Sequence, residues 1–161
     1  MPQTHIRLAV IVRSRKPATR WGVRGFAPLA VALDAPDAAP GERIGPAGDD
    51  EIWFAGWRDL SLHSGETGHY RDNLASGRPA VWAALKKGGL EIAAVTVDPY
   101  EGEALAGDEG LVVEATPMPG AVADLLRGFI ALHHVEQVFE KRKRRRDDPE
   151  ALARRGPVTR T

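Results

Sequence analysis

"PAVWAALKKGGLEIAAVTV", Pro79–Val97, decides the architecture. Its two halves, PAVWAAL and LEIAAVTV, are apolar runs with the length and composition of strands. Between them lies only KKGG, Lys86–Gly89, a short connection with glycine for a tight turn. A parallel pair would need a crossover of a dozen residues or more, so these two strands form an antiparallel hairpin.

The same logic extends upstream. HIRLAVIV (His5–Val12) is rich in β-branched residues and reads as a first strand. FAPLAVALD (Phe26–Asp34) alternates Leu29, Val31 and Leu33 and reads as a second. The basic loop RSRKPATR follows the first strand, and no helical pattern lies between the two, which argues against a βαβ fold. Residues 35–50, APDAAPGERIGPAGDD, are turn-rich and predict an exposed loop. EIWFAG and RDLSLHS then read as strand, with Leu60 and Leu62 on one face and Asp59, Ser61 and His63 on the other.

Downstream, three helices are predicted. Thr67 is placed as the cap of a short helix through Ala75, with Tyr70 and Leu74 on one side and Gly77 suited to its C-terminal end. Asp98 is an N-cap, Pro99 suits the first helical position, and Glu101 stands at capping-box spacing; Gly107 ends that helix. GLVVEAT is a last strand. From Pro119 to Val138, Val122, Leu125, Leu126, Phe129, Ile130 and His133 define one apolar stripe of a longer helix. The expectation is an α+β domain over residues 1–139. Its antiparallel sheet would be curled or partly closed, with short inserted helices and the C-terminal helix packed across it. Residues 140–161 are expected to be a disordered basic tail.

Apolar residues make up 43% of the 161, enough for a core, and one domain is the natural expectation at this length. There is no cysteine, which excludes disulfides, thiolate nucleophiles and cysteine-ligated zinc or iron–sulfur clusters. No run approaches the ~20 apolar residues of a membrane span, and the N-terminus carries no long apolar signal segment, so a cytoplasmic location without a transmembrane segment is expected. The zero net charge conceals an asymmetry. Residues 140–161 hold nine Lys/Arg against four Asp/Glu, and the remainder is acidic by the same margin.

The densest run of reactive side chains is HSGETGHYRDNL, His63–Leu74. His63, Glu66 and His69 stand at H-x-x-E-x-x-H spacing, with donor types suited to zinc or ferrous iron. Two glycines interrupt the helix that a zinc-protease site would need, so a polar loop and helix cap is the preferred reading and no metal or cofactor is expected. Tyr70 is expected to anchor the short helix while Arg71 and Asn73 face outward. Arg71 would hold a phosphate or carboxylate through its fork. On the long helix, His133 and Glu136 lie one turn apart and form either a structural pair or a proton-transfer couple. Lys141, Arg142, Lys143, Arg144, Arg145 and Arg146 are six consecutive cations that suit nucleic acid, an acidic surface or plain solubility. Neither G-x-x-x-x-G-K-[ST], G-x-G-x-x-G nor G-x-S-x-G occurs, so an enzyme is not the favoured reading.

The succession GETGHYRDNLASGRPAVWAAL, LEIAAVTVDPYEGEAL, VVEATPMPGAV and ALHHVEQVFEKRKRRRDDPE resembles an uncharacterised proteobacterial family of DUF3305 type, over about residues 5–155. The resemblance implies a gene set beside accessory genes of molybdenum-dependent formate dehydrogenases. Some members are labelled molybdopterin-guanine dinucleotide biosynthesis protein A, yet this chain has no Gly-rich nucleotide signature of the kind such a transferase needs. The implied role is a non-catalytic accessory protein. Its partner would be a molybdenum oxidoreductase subunit, another accessory protein or an anionic cofactor. The alternative is a small nucleic-acid-binding module acting through the basic tail.

Overall fold

The structure is a computed structural model that describes the backbone of residues 3–34 and 36–146 and the side chains of 4–34 and 36–133. The class is α+β, as expected, but the strands divide between two antiparallel three-stranded sheets, neither of them closed. The first has the order β2-β1-β3, from β1 (Gln3–Arg15), β2 (Gly25–Ala32) and β3 (Asp50–His63). The second has the order β5-β4-β6, from β4 (Ala80–Lys86), β5 (Ile92–Thr96) and β6 (Leu111–Pro117). The hairpin through Lys86–Gly89 is present, with Gly88 at φ 93° supplying its turn.

The sheets meet edge to edge, β3 beside β5 and β2 beside β6, without a shared ladder. At the β3–β5 seam, Arg58 donates from Nη2 to the Ala93 carbonyl at 2.9 Å and from Nη1 to the Ile92 carbonyl at 3.5 Å. A guanidinium thus satisfies edge carbonyls that a further strand would otherwise take.

EIWFAG and RDLSLHS form one continuous strand, β3. Its kink is a bulge at Gly56, where φ is 129° and a Cβ would lie 3.4 Å from Pro40. Beyond the bulge, Phe54 turns away from the main core and is buried on the other face. The turn-rich insert is exposed, as expected, but it is tied to β3. Gly41 and Ile44 donate to the carbonyls of Phe54 and Ile52, and Phe54 donates to Glu42, so the insert covers the outer edge of β3.

One core joins both sheets. Ile6, Leu8, Val10, Leu60 and Leu62 of the first meet Val81, Leu85 and Val95 of the second. Helix α3 (Gly120–Arg146) fills the remaining side with Val122, Leu126 and Phe129. Leu125, assigned to the stripe from sequence, is 51% exposed instead; the buried face follows Val122, Leu126, Phe129 and His133, and Leu125 falls off its edge. The helix also continues past Val138 to Arg146. The Glu-, Lys- and Arg-rich run after Val138 consists of good helix formers, and no glycine or proline interrupts it before Pro149. Residues 147–161 lie outside the described residues. Among the described residues, no helix is long and apolar enough to cross a membrane.

Candidate functional site

Helix α1 (Thr67–Ala75) follows β3 through a 3-10 turn, Ser64–Glu66. Its bounds match the sequence reading, but its cap does not. Glu66 occupies the N-cap position without a side-chain cap bond, and Thr67 is the first helical residue, fully buried. Tyr70 anchors the helix as expected. Its ring is buried and tilts against Phe129 at 6.3 Å, and its hydroxyl accepts from the His63 backbone N–H at 3.0 Å. Burial raises the Tyr70 phenol pKa, against the lowering effect of the bond from His63.

Asn73 overturns its prediction. It is buried at 2% exposure and makes three bonds that tie α1 to the start of β4 and to Val97, just past the end of β5. Its Nδ2 donates to the carbonyls of Ala80 (2.8 Å) and Val97 (2.9 Å), and its Oδ1 accepts from the Ala80 N–H at 3.0 Å. The physical reason is spacing: position 73 lies three residues from Tyr70 and so shares the inward face. Arg71 does lie on the exposed side of α1.

Helix α2 (Pro99–Ala106) begins where β5 ends. Asp98 caps it, Oδ1 accepting from the Tyr100 N–H at 2.9 Å. The capping box is relayed rather than direct. The Asp98 N–H donates to Thr96 Oγ1, and that hydroxyl donates to Glu101 Oε2 at 3.0 Å. Gly102 lets α2 lie on the second sheet, since a Cβ there would stand 2.5 Å from the Trp82 ring.

The cap leaves Asp98 Oδ2 facing α1, where it stands 3.0 Å from His69 Nδ1. Glu66, one turn before His69, places Oε2 2.8 Å from the same nitrogen. Both neighbours are acceptors, so Nδ1 carries the proton and donates between them. The Asp98 hydrogen bond is the largest influence raising the His69 pKa. Desolvation opposes it, and the charges of Asp98, Glu66 and Asp72 add to it. Tyr100 lies across the imidazole with ring centroids 4.4 Å apart. It also borders a cleft of about 440 Å³ lined by Asp72, Ser76, Arg78, Trp82 and Glu103.

The structure thus keeps two of the three sequence-selected donors together and replaces the third. His63 is exposed at the end of β3, outside the cluster, and Asp98 stands in its place. Among the described residues, Glu66, His69 and Asp98 form a group of donors within 4.8 Å of one another. Asp98 was legible only as a helix-start residue. The remaining signal was that a cap uses one carboxylate oxygen and leaves the other free to bond elsewhere. His133 is buried, its ring 4.4 Å from that of Phe129. The side chains of Glu136 and of Lys141–Arg146 lie outside the described residues.

A second surface stands apart from this one. The β1–β2 hairpin tip exposes Trp21 (84%) and Val23 (83%), with the Arg20 guanidinium 5.0 Å from the Trp21 ring.

A family model described as "Protein of unknown function (DUF3305)" matches residues 7–145. No curated protein and no solved structure matches the chain.

Proposed function

The chain belongs to the DUF3305 family, and we propose that it is a non-catalytic accessory protein for the maturation or regulation of a molybdenum-dependent formate dehydrogenase. Its partner, an enzyme subunit or another accessory protein, engages the face shared by α1 and α2. The link to formate dehydrogenase rests on the family resemblance. The binding role is supported by one structural observation: the polar groups beneath this face already hold the fold, while recognition groups remain on top. Asn73, Asp98 Oδ1, Thr96, Glu101 and the Tyr70 hydroxyl are each committed to a structural hydrogen bond. Above them stand Tyr100, 57% exposed, and a cleft that offers Trp82, Arg78 and Glu103. An exposed aromatic beside a cleft of mixed charge is the chemistry of a protein interface anchor.

The second reading is a nucleic-acid-binding module, favoured by the six consecutive cations Lys141–Arg146 at the end of α3. Capture with tagged full-length chain from its host separates the two. The accessory role predicts retention of formate dehydrogenase polypeptides or their accessory proteins after nuclease treatment and a high-salt wash. Retention of nucleic acid alone, lost to nuclease, would reject it.

A further inference from the structure

We propose that Glu66, His69 and Asp98 form a binding site for a first-row divalent transition ion, with Glu66 Oε2, His69 Nδ1 and Asp98 Oδ2 as ligand atoms. The inference goes beyond the accessory role and concerns the isolated chain. The donors come from two helix starts that the fold fixes independently. Glu66 and His69 are three residues apart across the start of α1, a spacing that puts a carboxylate and an imidazole on one side of a turn and recurs in carboxylate-bridged metal proteins. Asp98 is held from the other side by its cap bond to Tyr100, its side chain only 10% exposed.

The two nitrogen–oxygen spacings match a coordination shell. With metal–ligand bonds of ~2.0–2.2 Å, adjacent donors stand about 3 Å apart. The two nitrogen–oxygen separations are 2.8 and 3.0 Å, and no pair of the donor atoms exceeds 4.8 Å. Tyr100 packs on the imidazole and limits its rotation. The mixed nitrogen and oxygen set selects zinc, ferrous iron or their neighbours over magnesium and calcium, which prefer oxygen alone. Three protein ligands leave positions for water or for a donor from a partner.

Calorimetric titration of the metal-free, purified full-length chain with zinc chloride at neutral pH tests this site. The site predicts one saturable equivalent, weakened about tenfold or more in Glu66→Gln and in His69→Gln. It also predicts binding unchanged in His63→Ala, and no saturation by magnesium over the same range. Both ligand variants sit at side chains 41% exposed, so circular dichroism should show them folded. A further variant, Asp98→Asn, keeps the helix cap while removing the anion. Three results would overturn the site: no saturable zinc binding below millimolar, binding that survives all three ligand variants, or binding lost in His63→Ala. Zinc binding is read without any partner, so its failure and a failure of partner capture remain separate results.

Discussion

Asp98 and His69 meet at 3.0 Å between Oδ2 and Nδ1, and that contact ties the cap of α2 to the first turn of α1. The two residues are 29 apart in sequence, on opposite sides of the β4–β5 hairpin. One carboxylate therefore does two jobs. It starts a helix with one oxygen and fixes a histidine with the other, which brings the exposed face of α1 alongside Tyr100.

Metal-free protein should lose a little stability as pH rises through neutrality. The His69 pKa is raised in the folded chain, chiefly by Asp98. A raised folded value means the contribution is complete below the unfolded value of about 6.5 and disappears as pH climbs through the folded one. The pair is partly exposed, so the change is small, ~0–1 kcal/mol. Melting temperature measured across this range should fall in the wild type and stay flatter in His69→Gln. Equal slopes would show that His69 does not carry the effect.

Asn73→Ala should cost about 2–4 kcal/mol, because it strands a buried N–H and two buried carbonyls. Asn73→Asp should be no better, since a carboxylate would face the carbonyls of Ala80 and Val97. Denaturant unfolding reads both. A loss below about 0.5 kcal/mol in either variant would mean the three bonds are not holding α1 to the hairpin.

These residues show where a single sequence is legible. The bounds of α1, the hairpin at Lys86–Gly89 and the inward Leu60 and Leu62 all follow from local periodicity and turn chemistry. Asn73 was misread because the Tyr70–Leu74 pair alone was used to set the inner face, although Asn73, three residues from Tyr70, lies on that face too. Asp98 was legible as a cap but not as a partner of His69, since nothing local to α2 encodes where α1 will lie. The division into two sheets was hidden for the same reason. It depends on strand neighbours distant in sequence, such as β1 against β3 and β4 against β6.

Gly102→Ala should destabilise the chain by about 1–3 kcal/mol despite the better helix propensity of alanine. The new Cβ would meet the Trp82 ring at 2.5–2.7 Å. Thermal melting and tryptophan fluorescence both report on it. A stabilised variant with unchanged emission would contradict the packing of α2 on the second sheet.

A separate acid limb should depend on Glu51. Its carboxylate accepts from the Gly48 N–H and the Trp53 indole and pairs with Arg24 and Arg43. The Gly48 bond is the largest influence holding its pKa below the ordinary 4.5. A depressed folded value gives stability that is present above the unfolded value and lost as pH falls through the folded one. Glu51→Gln should therefore be less stable than wild type at neutral pH and show a shallower loss on acidification. An unchanged acid limb would place it elsewhere.

Engagement of the partner by the α1–α2 face is the core of the proposed function. Its most direct measurement is capture of formate dehydrogenase components from the host by tagged full-length chain carrying Tyr100→Ala or Arg71→Ala. Trp21→Ala at the hairpin tip and truncation after Glu140 serve as the comparison. With all variants folded, Tyr100→Ala should lower capture about tenfold or more and Arg71→Ala should lower it further in combination, while the two comparison variants retain it. Full capture by the double variant, with capture lost on truncation or in Trp21→Ala, would contradict it.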